Sequence, residues 1–464
     1  MTGMRRQGKH GMGGILALLG VLIACAAPAA FAQREEQLLV SSEIEGRKVV
    51  LPPGLALELE WYSPVVDASK AGLIVRGWVD EEFVLLETDK LNLICVNRKD
   101  GTENWRLVLE QPLRYQPEVT RNNVIVNVNN FLVAVEKRTG EVRWRLLPKF
   151  VMSTPPLVFD PPAYKAEYTR EWQNMESVYT GAWEGRIHGM SVRGRLEQYS
   201  PSLAAPQFDI YYNWHKTHVT RGIISTPLKL YDDAIYYSAD DSQVYAVTRD
   251  GEVRTPYKLQ GAPCTNLAVD SLNVYVGARD YYFYALDRLT LQKKWAYPSG
   301  GLMQGNIYAD EPVKESFVYV PTVADGIHAL SVQRATGGGQ SSLVTPESYQ
   351  LAWKAPGTHG VVSASEKVVY LGKNPTKDFA GYTTLVAVDK ASGKVLWETE
   401  SAKKEGARFY IEFHNAWRRD DQQMRIFAVT ADNRLLSFRE KRALYGPMAE
   451  KVEKTAAPAA PEKK

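Results

Sequence analysis

The chain has 464 residues, 45% of them hydrophobic and 23% charged, which is enough for one large domain or two to three ordinary ones with a substantial buried core. Its three cysteines are too few for a disulfide-stapled scaffold or a cysteine metal cluster, so packing has to hold the fold. Three of its positive charges lie within the first nine residues, and without residues 1–32 the remainder carries 53 basic against 53 acidic side chains, a neutral chain with no electrostatic footprint for nucleic acid.

Along the chain, Arg5, Arg6 and Lys9 precede the apolar run ILALLGVLIACAAPAA and the small-residue triplet Ala30-Phe31-Ala32, the layout of a secretory signal peptide over residues 1–32. Two processing readings stand side by side. Cleavage after Ala32 releases a soluble exported protein, whereas Leu22-Ile23-Ala24-Cys25 also reads as a lipobox that would leave a lipid anchor on Cys25. Either way the expected location is periplasm or cell envelope. The propeller-type domain described next is expected to span residues 41–440.

Near the mature start, ALELEWYSPV is a lone strand carrying Trp61, with no companion strands before it. A recurring unit then begins. ICVNRKDGTENW ends at Trp105, LVAVEKRTGEVRW at Trp144, FDIYYNW at Trp214, VYAVTRDGEVRTPY at Tyr257, FYALDRLTLQKKW at Trp295, a long IHAL…YQLAW segment at Trp353, and LVAVDKASGKVLW at Trp397. Where no insertion intervenes, successive ends lie 38 to 44 residues apart. A period of about 40 residues built of β-type segments predicts propeller blades of four antiparallel strands, here lettered A to D from the centre outward. Gly101, Gly140 and Gly393 suit the positive backbone dihedral of a tight C-to-D hairpin, and the tryptophan that follows is predicted to sit on strand D as a docking residue between blades, burying about 200 Å².

The last unit, RIFAVTADNRLLSF, stops near Phe438 without a D strand of its own. The strand with Trp61 is therefore expected to complete it, closing an all-β ring of eight blades between the two ends of the chain. Such a ring is expected to be monomeric. Residues 446–464, rich in Ala, Pro, Lys and Glu, are expected to form a disordered tail.

Ala387, Asp389, Ser392, Gly393 and Trp397, with Ala134, Glu136, Thr139, Gly140 and Trp144, resemble the A-x-D-x-x-T-G-x-x-x-W tryptophan-docking repeat of the pyrroloquinoline quinone (PQQ)-like β-propeller family. That family includes quinoprotein alcohol and glucose dehydrogenases and the BamB lipoprotein of outer-membrane-protein assembly. Fold follows from the resemblance; chemistry has to be argued from sites.

A PQQ enzyme needs calcium held by carboxylate and amide oxygens beside the quinone and a carboxylate base. Candidate oxygens are Asp240, Asp241 and Asp280, all in expected B-to-C turns, although Asp is also what such turns ordinarily use. His359 and His414 stand near the starts of A strands, at the expected channel mouth, as satisfied polar groups or as a ligand pair. His215 and His218 are three apart on an expected strand, on opposite faces, which argues against a shared metal. The adjacent-cysteine pair of many alcohol-oxidising members and the C-x-x-C-H haem motif do not occur. Cys95 and Cys264 are expected in blades one and five, too far apart to bridge. Insertions at 159–175, 192–207 and 332–350 are expected on the face of the C-to-D turns, and 372–382 on the opposite face. The residues thus point to a non-enzymatic envelope scaffold that binds protein partners, with no catalytic or metal residues assigned and no cofactor; a PQQ and calcium-dependent oxidoreductase or a ligand sensor is the alternative.

Overall fold

The computed structural model describes residues 57–64, 66–80, 82–159, 176–194, 208–212, 219–249, 251–310, 315–334, 347–375, 381–399, 407–411, 425–430 and 433–440. The leader with Cys25, the tail, Trp214, His215, His218 and His414 fall outside them. Every regular element among the described residues is a β-strand.

The strands group in fours. Blade 1 is Ile74–Val79, Phe83–Thr88, Asn92–Asn97 and Glu103–Val108, and blade 2 is Glu118–Val119, Asn123–Val128, Phe131–Glu136 and Val142–Leu146. Blade 3 runs from Leu157–Phe159 to Phe208–Tyr212, blade 4 from Lys229–Tyr231 to Tyr257–Lys258, and blade 5 from Ala268–Val269 to Lys293–Pro298. Blade 6 runs from Tyr308–Ala309 to Glu347–Ala355, and blade 7 from Thr358–Ala364 to Val395–Glu398. All neighbours within a blade are antiparallel.

Blade 8 is made from both ends of the chain. Ala407–Ile411, Arg425–Thr430 and Leu435–Glu440 are joined by Leu57–Tyr62, with Leu57 opposite Glu440 and Trp61 opposite Ser437. Arg425 holds the closure through a paired contact with Glu60, Nε to Oε2 at 2.7 Å and Nη2 to Oε1 at 2.8 Å. Closure leaves no whole blade face open at the seam.

The core is not central. Among the described residues eight apolar clusters occur, one at each junction between neighbouring blades. Strand B of blades 1, 2 and 4 is buried at every position because apolar neighbours cover both of its faces, so it reads as a continuous apolar run rather than an alternating one. Cys95 lies buried in blade 1 and Cys264 ahead of blade 5, and both are free thiols.

Two features depart from a simple ring. Blades 7 and 8 form one continuous eight-stranded sheet. Strand D of blade 7 has only four residues and covers Val386 to Val388, so the first half of strand C keeps an open edge, and Gly381 and Tyr382 pair with Ile411 and Tyr410 of blade 8. The insertions are also shorter than the sequence suggests. Residues 192–194, 332–334, 347–350, 372–375 and 381–382 continue the flanking strands, because a long antiparallel hairpin satisfies backbone groups that a loop would leave to water.

Candidate functional site

The repeat residues meet across blades. Trp61 of blade 8 donates its indole N–H to the Arg98 carbonyl of blade 1 at 3.0 Å, Trp105 of blade 1 to the Lys137 carbonyl of blade 2 at 2.8 Å, and Trp353 of blade 6 to the Lys390 carbonyl of blade 7 at 2.7 Å. The acceptor always lies three residues beyond the strand C residue that faces the blade's own tryptophan, namely Cys95, Ala134 and Ala387. Six residues beyond it stands a glycine with φ of +75°, +76° and +70° at Gly101, Gly140 and Gly393. A methyl group there would lie 2.5 Å from the Trp61 ring at Gly101 and 2.7 Å from Trp105 at Gly140. Each glycine therefore serves its own turn and also lets the preceding blade's tryptophan lie against it. The spacing signals the turn; the contact with the preceding blade has no signal in it.

The acceptor residue is basic each time, a regularity the repeat carries but that the motif reading passes over. Lys137 reaches back to Glu82 at 3.4 Å and Asp80 at 3.8 Å in blade 1, and Lys390 to Asp310 in blade 6 at 2.7 Å. Burial pushes the Asp310 carboxyl up, and the Lys390 ammonium opposes this. Asp389 closes its turn by accepting from the Ser392 amide at 2.8 Å and hydroxyl at 2.6 Å, and the hydroxyl bond holds its carboxyl below the ordinary range.

At the junction from blade 5 to blade 6 no such turn exists. Trp295 donates instead to the Glu347 carboxylate at 3.2 Å. The Glu347 side chain is wholly buried and also receives Arg334 Nε at 3.1 Å and Asn273 Nδ2 at 3.1 Å, with Lys294 at 3.6 Å. Beside it, Asp270 accepts from the Tyr275 hydroxyl at 2.9 Å and from the Leu272 and Asn273 amides at 2.7 Å, while burial pushes its carboxyl up.

The carboxylates considered for calcium are in the B-to-C turns of two blades, Asp240 and Asp241 in blade 4 and Asp280 in blade 5, and are tied to those turns. Asp241 accepts from the Tyr245 hydroxyl at 2.5 Å and from the amides of Arg221 and Gln243; Asp280 accepts from the Tyr284 hydroxyl and the Tyr282 amide; Asp240 accepts from Ser225 at 2.7 Å. Burial and the adjoining carboxylates push both phenols up. No group of three His, Cys, Asp or Glu among the described residues is arranged to hold a metal ion. These residues do not fit a calcium-bridged quinone. His359 is exposed at the start of strand A of blade 7, and its suggested companion His414 lies outside the described residues. Of the tryptophans, Trp144 is buried between blades 2 and 3, and Trp397 packs only partly against the cluster between blades 7 and 8. One group had no signal in the sequence: Lys229 on strand A of blade 4, whose ammonium is pushed down by burial and opposed by Glu118 of blade 2.

Two pairs of exposed apolar residues, Val151 with Trp183 at blade 3 and Leu302 with Val323 at blade 6, lie on the face of the B-to-C turns and D-to-A loops. Trp183 donates its amide to the Val151 carbonyl at 3.1 Å, and Val323 its amide to Leu302 at 2.9 Å, so each pair is adjacent. Trp183 is 53% exposed and Val323 54%. Tyr281 lies on the same face in blade 5.

The family model described as outer membrane protein assembly factor BamB matches residues 58–166 and 328–443. The chain is an eight-bladed β-propeller that over those residues is similar to the PQQ-like BamB family. In this propeller the two matched segments, far apart in sequence, form one continuous arc through blade 8, from blade 6 round to blade 3. The WD40 domain of SCAP from fission yeast is 11% identical and aligns over 83% of this chain and 97% of its own, with a TM-score of 0.51, a likeness of fold. BamB from Moraxella catarrhalis is 14% identical over 79% of this chain and 82% of its own, TM-score 0.36. The quinohemoprotein alcohol dehydrogenase ADHIIG from Pseudomonas putida HK5 is 13% identical over 88% and 78%, TM-score 0.48. No curated protein sequence matches the chain.

Proposed function

We propose that this PQQ-like propeller is a non-enzymatic scaffold of the cell envelope that binds protein partners, exported by residues 1–32 or anchored through Cys25. The match of the BamB assembly-factor model to both sides of the closure seam carries this reading. Two further observations support it. The carboxylates suited to a cofactor metal are spent on turn amides and tyrosine hydroxyls, and the face around Val151, Trp183, Leu302 and Val323 offers apolar contact area of the kind that protein interfaces use.

The test is photo-crosslinking in whole envelopes from probes placed at Trp183 and Val323. Specific capture of one envelope protein at both positions is expected, and capture of none sinks the scaffold. Titration with PQQ and calcium examines the oxidoreductase alternative. A shifted quinone absorption spectrum together with dye-linked oxidation of an alcohol or sugar would replace the proposal.

A further inference from the structure

Blade 5 places a carboxylate among tyrosines and supplies no cation of its own. Asp280 sits in the B-to-C turn, where Oδ1 accepts from the Tyr282 amide at 3.1 Å and Oδ2 from the Tyr284 hydroxyl. A carboxylate offers about four lone-pair sites, so about two stay open here. Asp280 forms no ion pair, even with its neighbour Arg279, and Lys258 turns instead to the Asp241 carbonyl at 2.6 Å. Around it the Tyr284 ring lies 6.1 Å from Tyr257 of blade 4 and 6.3 Å from Tyr282, tilted by 55° and 47°. Tyr282 is 41% exposed and Tyr281 is 53% exposed. The turn, these strands and the loops on either side, 259–267 and 299–307, all belong to the described residues.

Other aromatic faces of the ring are covered from within the chain. Arg145 stands 3.9 Å over Phe131, Arg249 3.5 Å over Phe159 and Arg288 4.6 Å over Tyr231. Among the described residues no cation lies over Tyr257, Tyr281 or Tyr282. Burial and the Asp280 charge together push the Tyr257 phenol up, the effect of a carboxylate with no counter-ion beside it. Tyr281 also has a left-handed backbone, φ +65°, at the last position of its turn, where blade 1 has Leu91 and blade 4 Ser242. Leu91 recovers that strain by packing into the cluster between blades 1 and 2, whereas Tyr281 keeps its ring in water. Its carbonyl takes the Ser299 amide and hydroxyl, both at 2.9 Å, so the ring is presented from a fixed backbone.

We propose that Asp280, Tyr281 and Tyr282 form a binding site for an organic monocation, an alkylammonium or guanidinium group, with the carboxylate as counter-ion and the phenol rings as its apolar and π surface. One carboxylate is too few for calcium, which takes about six to eight oxygens. A monovalent cation with an apolar body needs only one. The same group is carried by a lysine or arginine side chain of a protein partner and by a free amine, so the site serves a scaffold and a ligand sensor alike.

Calorimetric titration of the full mature chain with butylguanidinium and tetramethylammonium chlorides at constant ionic strength tests this, with tert-butanol as a neutral body of similar size. Dissociation constants of about 1–10 mM are expected for the cations, and no measurable binding for the alcohol. Asp280→Asn keeps an acceptor for the turn amide and is expected to weaken cation binding about tenfold, and Tyr282→Leu about fivefold. Asp241→Asn alters the corresponding turn of blade 4 and is expected to leave binding unchanged. Equal loss in D280N and D241N marks diffuse surface charge and overturns the proposal, as does cation binding that neither D280N nor Y282L weakens, or no cation binding at all. A capped Gly-Arg-Gly peptide that binds at least about threefold more tightly than butylguanidinium upholds the site and assigns it to a partner's side chain. Equal or weaker binding of the peptide upholds it as a site for a free small cation.

Discussion

The junction between blades 1 and 2 and the junction between blades 5 and 6 solve one problem by different chemistry. At the first, Trp105 gives its N–H to a backbone carbonyl and lies against Gly140, and the carbonyl's own residue, Lys137, reaches back to Asp80 and Glu82. At the second, the extended hairpin of blade 6 removes the turn, and Trp295 finds a buried carboxylate that Arg334, Asn273 and Lys294 also use. A carbonyl acceptor tolerates change in the side chain that carries it. A buried carboxylate does not, because its removal strands several donors together.

The largest effect should follow from breaking the second junction. Glu347→Ala takes one buried acceptor from Arg334, Asn273, Lys294 and Trp295 together and is expected to lower stability by about 3–5 kcal/mol, read as the shift in denaturation midpoint. At the first junction, Gly140→Ala combines a left-handed backbone with a methyl driven into the Trp105 ring, for an expected loss of about 2–4 kcal/mol. Lys137→Met should be far milder there, since the carbonyl stays.

Removing a single indole N–H sharpens the comparison further. Trp353→Phe loses a buried hydrogen bond and is expected to cost about 1 kcal/mol, beyond the smaller packing change.

The smallest effect concerns pH. Burial raises the Asp270 carboxyl in the folded protein, so its favourable contribution is complete below the unfolded value of about 3.9 and is lost as pH rises through the folded value. Asp270→Asn removes that loss. The stability of the variant relative to the wild type is therefore expected to increase from about pH 4 upward, measured as denaturation midpoints across that range. A relative stability that falls over the same interval would reverse the sign assigned to this group.

Much of this was legible in the residues. Gly140, Trp144 and the Asp389–Gly393 turn announce a blade unit, and the unmatched strand at Trp61 announces how the ring closes, since a strand with no companions can only complete a blade that lacks one. The candidate calcium oxygens were legible as turn residues but not as bonded ones, because the Tyr245 and Tyr284 hydroxyls that claim Asp241 and Asp280 come from strand C and look in sequence like any packing aromatic. Glu347 was invisible: it lies 74 residues from Asn273, beyond an insertion that carries no repeat signal.

Local chemistry decided the unit, the period and the number of blades, because a hairpin turn and its strand pattern are set by residues a few positions apart. What neighbouring blades do with one another was decided only by closure. The fusion of blades 7 and 8 depends on how far a four-residue strand falls short of its partner, and the fate of each tryptophan depends on what the next wedge places beside it. Those are relations between strands brought together by the ring, and a periodic sequence encodes the wedge without encoding its neighbour.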